Sequence, residues 1–340
     1  MARSRKKLLI CSPAPSILSL VPTLYSCTLI RTWQFSVAVS QADSPASEVC
    51  GPPIRSGTQR IEKRMISDEA RRVGRTEVDQ TESVSPAMLA RKTWIVMPAY
   101  NAEQTLADTF YDIPHPFRSQ VLLVDDCSSD GTVDLARDLG IHVIQHEVNR
   151  GYGGNQKTCY EAVLDRGAEF VVMIHPDFQY DARMAAVMVE IIALGNCDIV
   201  LGNRIRTRSE ALSGGMPRWK YLANRSSTFV ENLLLGQSIG DFHSGMRAYS
   251  RHVLEVIPFD RNSEDFAFDQ ELLVQAVAAG VKIGDVPVPV RYMSEASSIS
   301  FRRSVAYALG GISAVVSYFL TRVGLKRDKR FLAAMRAPRA

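Results

Sequence analysis

Among the six cysteines (Cys11, Cys27, Cys50, Cys127, Cys159, Cys197) no CxxC pair and no zinc-type histidine spacing occurs. A structural zinc and a small disulfide scaffold are thereby excluded, and free thiols in a reducing compartment are expected. Long uninterrupted apolar runs are also missing: Pro13, Pro15 and Pro22 break the stretch from Leu8 to Ile30, which argues against a spanning helix there. No G-x-G-x-x-G follows the first strong strand, so a dinucleotide oxidoreductase is disfavoured. Net charge is scarce too, at +4 from 40 Lys plus Arg against 36 Asp plus Glu. That balance hides a gradient: cut at Lys92 and after Phe301, the three pieces carry about +6, −10 and +8. The acidic central body lacks the basic patch that nucleic acid requires, so no nucleic-acid partner is expected, whereas the basic ends suit an anionic membrane surface.

What is present is 340 residues, 46% hydrophobic and 22% charged, enough for a large self-sufficient core. Residues 1–92 read as a disordered or non-native N-terminal extension. The charged start (Arg3, Arg5, Lys6, Lys7) and apolar middle resemble a signal peptide, but Gln41 to Thr81 holds neither a helical nor a strand period. Met65 and Met88 are alternative translation starts.

Order is expected from Thr93. TWIVMPAYN is an apolar run that stops at Pro98 and Asn101, and VLLVDDCSSDGT repeats the plan from Val121. Helices are expected at Ala102–Tyr111, Val133–Leu139 and Gln156–Arg166, strands at His142–Gln145 and Phe170–Ile174, and a Gly-rich loop at Asn149–Asn155. Strands alternating with helices predict an α/β fold with a doubly wound, mostly parallel sheet and helices on both faces. Ligands of such sheets bind beyond the carboxyl ends of the strands, where Pro98, Asp125, Asp126 and Asp177 fall. Carboxylates at that rim point to a cation or to sugar hydroxyls. Asp130 reads as a helix cap and the Asp125–Asp126 pair as ligand-binding. In HPDFQYD, His175, Asp177 and Gln179 alternate, and on an extended segment they would share one side and suit a divalent cation. The alternative is that Asp177 caps a helix starting near Ala182.

From about Trp94 to Phe301 these motifs resemble the family 2 glycosyltransferases, in particular the bacterial branch similar to dolichyl-phosphate mannosyltransferase. The family's P-x-Y-N-E is matched at Pro98, Tyr100 and Asn101, with Ala102 at the acid's place and Glu103 one position late. Its V-D-D-x-S-x-D-G-T is matched at Val124, Asp125, Asp126, Ser128, Asp130, Gly131 and Thr132, which the resemblance implies hold the base and ribose. Its D-A-D-x-Q appears with His175 in place of the first acid. By resemblance Asp177 and Gln179, with His175, would hold Mg²⁺ or Mn²⁺ bridging the donor diphosphate, and the imidazole favours Mn²⁺. LGNR resembles the segment whose arginine, here Arg204, sits near the diphosphate. The D-x-x-S-G-F-R segment is matched at Asp241, Ser244, Gly245 and Arg247. Asp241 would lie near the anomeric carbon or the acceptor and Arg247 would pair with a phosphate; an Asp241–Arg247 ion pair ordering the loop is the alternative. In the closing segment Ser298 replaces the usual lysine, which leaves Arg291 for the acceptor phosphate.

The resemblance implies a GT-A fold over 93–301 and an inverting transfer from a GDP- or UDP-hexose to a polyprenyl phosphate. An enzyme acting on a saccharide hydroxyl, with Asp241, Asp265 or Asp269 as base, and a non-catalytic sugar-nucleotide-binding protein are the competing readings. Residues 302–340 form a basic tail around an uncharged stretch, Ser304 to Thr321, whose larger apolar residues (Val305, Leu309, Ile312, Val316, Phe319, Val323) make one helical stripe. Such a helix suits a membrane surface, or a core or homo-oligomer contact, better than a span. A cytoplasmic enzyme, peripheral on the inner face of the membrane, is the resulting expectation.

Overall fold

The computed structural model describes residues 85–291 and 301–337, with backbone alone for 301–309. The expectations for residues 1–84 and for the closing segment 292–300 lie outside the described residues. Order begins earlier than expected, in a short helix α1 (Pro86–Lys92) that opens with proline in its first turn and buries Leu89 and Ala90.

Seven strands form one sheet in the order β3-β2-β1-β4-β6-β5-β7: β1 Thr93–Ala99, β2 Val121–Asp125, β3 His142–Gln145, β4 Phe170–Met173, β5 Ile199–Asn203, β6 Arg247–Ser250 and β7 Ile283–Pro287. The pairs β1–β2, β1–β4, β2–β3 and β5–β7 are parallel, and only β6 runs against its neighbours β4 and β5. The mostly parallel α/β sheet expected from the sequence is therefore present. Every residue of β1 and β2 is buried, as continuous apolar runs between two helical layers require. Alternation along β1 sends Trp94 and Val96 to one layer and Ile95 and Met97 to the other.

The second layer holds α1, α2 (Leu106–Asp112), α3 (Thr132–Asp138) and α5 (Met184–Ala193). The first holds α4 (Gly151–Asp165), α8 (Arg251–Val256), α9 (Phe268–Ala279), α10 (Phe301–Arg322) and α11 (Lys329–Met335). Two further helices, α6 (Arg208–Ser213) and α7 (Arg218–Leu235), lie between β5 and β6 in the chain. The C-terminal segment is part of the core: Phe331 and Ala334 are fully buried, and α10 lays Gly310 and Gly311 against Ala267 and Gln270.

The Gly-rich stretch expected to be a loop is instead the first turn of α4. Gly153 and Gly154 donate their N–H groups to the Glu264 carbonyl, at 2.8 and 3.3 Å. A Cβ at Gly153 would lie 2.4 Å from the Ser263 carbonyl oxygen, so the glycine serves close backbone approach.

Candidate active site

The loops after β1 and β2 are one interlocked unit. The Asn101 N–H donates to Ser128 Oγ (2.8 Å) and Ser129 N–H to Asn101 Oδ1 (2.9 Å). Glu103, one place late against the family pattern, still has a function here: its carboxylate accepts from Gly131 N–H at 2.9 Å, while its own N–H donates to Asp130. Asp130 also accepts from the Thr132 N–H and hydroxyl at the start of α3, although the capping position itself is taken by Gly131. Tyr100 is exposed at this rim, whereas Pro98 is buried inside β1 opposite Val124 and offers the rim no surface.

The two adjacent aspartates part company. Asp126 Oδ1 accepts from Arg150 N–H and meets His146 Nδ1, both at 2.8 Å, and Oδ2 accepts from Gly151 N–H at 2.9 Å. It binds the start of α4, which corrects its expected ligand role, because a carboxylate beside unsatisfied helix N–H groups is held by them. Asp125 is fully buried; its Oδ2 accepts from Ser128 N–H at 3.0 Å and its Oδ1 has no hydrogen-bond partner.

The third motif is a turn rather than an extended segment, since Phe178 adopts φ 53°. His175, Asp177 and Gln179 therefore do not project as an alternating row. Thr105 Oγ1 donates to the Pro176 carbonyl and Phe178 N–H to Thr109 Oγ1, clamping the turn to α2. Asp177 accepts the local Gln179 N–H (3.1 Å) and does not cap α5. Burial raises its pKa above the usual carboxylate value, against the opposing pull of His175. A carboxylate whose charge is undercompensated in this way suits a cation. Among the described residues no three of His, Cys, Asp and Glu gather into a cation site.

His175 is oriented from behind. Tyr152 donates its single phenolic proton to Asp269 Oδ2 at 2.7 Å, so in its 3.0 Å contact with His175 Nε2 the imidazole is the donor. In neutral His175 this leaves the lone pair on Nδ1. Asp269 is buried, accepts from Gln156 Nε2 at 3.1 Å and lies 3.6 Å from the Arg247 guanidinium. Gly245 makes room for the imidazole, because a Cβ there would lie 2.8 Å from His175 Cδ2.

Arg247 is fully buried and donates to the carbonyls of Ser244 (2.9 Å), Asp269 (2.9 Å) and Phe242 (3.3 Å). Its expected phosphate contact is corrected: a guanidinium enclosed by carbonyls and Asp269 orders the 242–247 loop and does not reach a ligand. The alternative Asp241–Arg247 pair does not form either. Asp241 is instead the partner of Arg204, with Arg204 Nε to Oδ2 at 2.8 Å. Asn224 Nδ2 and His243 N–H donate to Oδ1 at 2.9 and 3.0 Å. Burial alone would raise the Asp241 pKa, but Arg204, His243 and Asn224 outweigh it and bring it down to about 2. Fully buried and ionised, Asp241 does not face a sugar; it fixes Arg204.

Arg204 lines a cleft of about 180 Å³ together with Glu210, Ala211, Gly214, Val288 and Val290, beyond the carboxyl ends of β5 and β7. Arg291 is not part of this lining. Its Nη1 donates to Asp112 at 3.2 Å, its N–H to the Gln179 carbonyl at 2.8 Å, and its guanidinium lies 4.2 Å from the Phe178 ring centroid, beside the third-motif turn.

The sequence profile of Glycosyl transferase family 2 matches residues 94–257. The dolichyl-phosphate hexose transferase of Haloferax volcanii is 32% identical over 199 residues, 58% of this chain and 82% of that protein. The chain belongs to glycosyl transferase family 2. The polyprenol monophosphomannose synthase of Mycolicibacterium smegmatis is 26% identical over 62% of this chain and 83% of its own. The glucosyl-3-phosphoglycerate synthase of Mycobacterium tuberculosis, crystallised with Mn²⁺, UDP and phosphoglyceric acid, superposes with a TM-score of 0.52 at 16% identity, covering 72% of this chain and 84% of that one. The fold of this glycosyltransferase is accordingly GT-A. Its motifs meet at one rim, but sequence reasoning missed Tyr152, Asn224 and the Glu103 contact. A lone tyrosine among glycines and an asparagine inside a helix carry no signal until the fold brings them to His175 and Asp241.

Proposed function

We propose that this glycosyltransferase transfers a hexose, with inversion, from a GDP- or UDP-sugar to a polyprenyl phosphate. The observation that carries the acceptor is the electrostatics around Arg204. A guanidinium is fixed at the edge of a cleft by a buried, ionised Asp241, and of the three carboxylates that could serve a hydroxyl acceptor as base, Asp241 and Asp269 are buried and hydrogen-bonded, while Asp265 is exposed and accepts from the Phe266 N–H. A phosphate monoester is already an anion at pH 7, so it needs a cationic guide and no base. Its oxygen forms the new bond to the anomeric carbon as the bond to the nucleoside diphosphate breaks, and the diphosphate leaves with the electron pair. The names of the two relatives, both lipid-phosphate sugar transferases, agree with this acceptor.

On the donor side the exposed Tyr100 is the group left at this rim for the base, and Asp125, buried with its Oδ1 unpartnered, would need the rim to open before it could meet the ribose. Asp177 would hold Mg²⁺ or Mn²⁺, with His175 Nδ1 and Gln179, and most remaining ligands would come from diphosphate oxygens and water. When bound, such a cation offsets the charge of the departing diphosphate. A lipid acceptor sets the enzyme to work at a membrane surface, and the expected place is the cytoplasmic face.

The test is transfer of radiolabel from a panel of UDP- and GDP-hexoses, with Mg²⁺ or Mn²⁺, into organic-extractable polyprenyl phosphate. Labelled lipid is the expected result. Label on a saccharide instead would move the acceptor to a hydroxyl, and donor binding without turnover would favour the non-catalytic reading.

A further inference from the structure

We propose that the outer faces of α7 and α10 together form a docking surface for an anionic lipid bilayer; the inference rests on the lipid-phosphate reading and names the surface that would serve it. On α7, Leu222, Phe229 and Leu233 are 66%, 68% and 71% exposed, flanked by exposed Trp219 and Val230. On α10, Ile312, Val316 and Phe319 are exposed and Val323 continues the row just past its end. Steps of three, four and seven set each group on one side of its helix. The opposite sides are the ones that pack: α7 buries Asn224, Thr228, Glu231 and Leu235, α10 buries Ala314, Val315 and Tyr318, and the two helices lie against each other. The large apolar stripe that the sequence marks on α10 thus faces outward where its side chains are described. Nine large apolar side chains on two adjoining helices exceed what scattered surface residues account for.

Charge selects the occupant. No acidic residue stands at an exposed position of α7, or of α10 from Gly310 onward. Arg218 opens α7, and Arg322, Lys326, Arg327 and Lys329 follow the α10 stripe, all exposed. A second copy of the chain docked about a twofold axis would bring these cations face to face, whereas anionic headgroups complement them. No helix among the described residues is long and apolar enough to cross a membrane, so the geometry is that of helices lying in the interface. The surface is also tied to the site: Asn224 of α7 holds Asp241, and Arg225 donates to the Gly240 carbonyl. Seating α7 on the bilayer therefore brings the helix that fixes Arg204 to the level where a lipid phosphate is presented.

The experiment is flotation of the full chain with vesicles of phosphatidylcholine, with and without phosphatidylglycerol, for the wild type, Phe229→Asp/Leu233→Asp and Phe319→Asp. Folding is monitored by circular dichroism and by binding of nucleoside diphosphate. The wild type is expected to float with phosphatidylglycerol vesicles and each variant to lose at least tenfold in partitioning. The variants should keep transfer to a short-chain, water-soluble prenyl phosphate while losing transfer to a bilayer-embedded long-chain one. Wild-type protein that stays unbound, or folded variants that float like the wild type, would overturn the proposal. So would an oligomer that the variants dissociate without any change in lipid binding, which would give the face to a second copy. Flotation is read without turnover, so an enzyme that binds vesicles through this face yet ignores prenyl phosphate would refute the acceptor and leave the surface standing.

Discussion

Asp241→Asn is the perturbation whose size the structure fixes best. The carboxylate is fully buried and accepts from Arg204, Asn224 and the His243 N–H, and its pKa is depressed from 3.8 to about 2. At 1.36 kcal/mol per unit, that preference for the ionised form corresponds to ~2.4 kcal/mol. An asparagine amide keeps the shape but sets an N–H₂ against donors that all point inward, so the loss in stability should be about 2–4 kcal/mol at pH 7. The sign of the pH dependence follows from the depressed value. The contribution of Asp241 is fully present above the unfolded carboxylate pKa and is lost as pH falls toward the folded one, with about half remaining near pH 3. Urea unfolding of both proteins between pH 7 and pH 3 should give a difference that is flat down to about pH 5 and then shrinks. Equal stability at pH 7, or a difference that does not shrink on acidification, would refute the assignment of Asp241 as a buried, ionised anchor. Since Asp241 fixes Arg204, the variant should also raise KM for the acceptor while leaving donor binding little changed.

Tyr152→Phe removes the hydroxyl between Asp269 and His175 but retains the 4.8 Å stack on Phe266, and Mn²⁺ affinity measured by titration should fall several-fold; an unchanged affinity would remove His175 from the cation's ligands. Arg247→Met leaves Asp269 buried beside an apolar chain, and thermal unfolding should show a loss of about 3–5 kcal/mol. A marginal effect there would mean that Arg247 has a role other than holding Asp269. Gly153→Ala, which sets a Cβ 2.4 Å from the Ser263 carbonyl, should destabilise by more than the ~1 kcal/mol typical of point changes, read by the same melt; stabilisation through helix propensity would refute the close-packing argument.

The central strands were legible because burial on both faces demands continuous apolar runs, as TWIVMPA and VLLVD show. The antiparallel β6 was not, since direction in a sheet depends on where the chain re-enters. GYGG reads as loop by propensity, and tertiary packing against residues 263–264 overrode it. The rim carboxylates were found by position, but the distinction between Asp125 and Asp126 depends on which of them meets the N–H groups that open α4. Asp241 and Arg247 stand at motif positions that suit chemical groups but are buried, one fixing Arg204 and the other Asp269, because a charged residue at a motif position looks the same whether it faces a ligand or holds the residue that does. In α10 the stripe was visible, but which side packs was decided by the small residues Gly311, Ala314 and Ser317, which allow close approach of the neighbouring helices.

The central claim is that the acceptor is an anion guided by Arg204 and in no need of a base. Polyprenyl phosphate and the corresponding polyprenol, offered side by side with the same labelled donor, test it most directly. The account predicts transfer to the phosphate and none to the alcohol, with transfer to the phosphate lost in Arg204→Met. Comparable transfer to polyprenol, or an Arg204→Met enzyme that retains full activity on the phosphate, would contradict it.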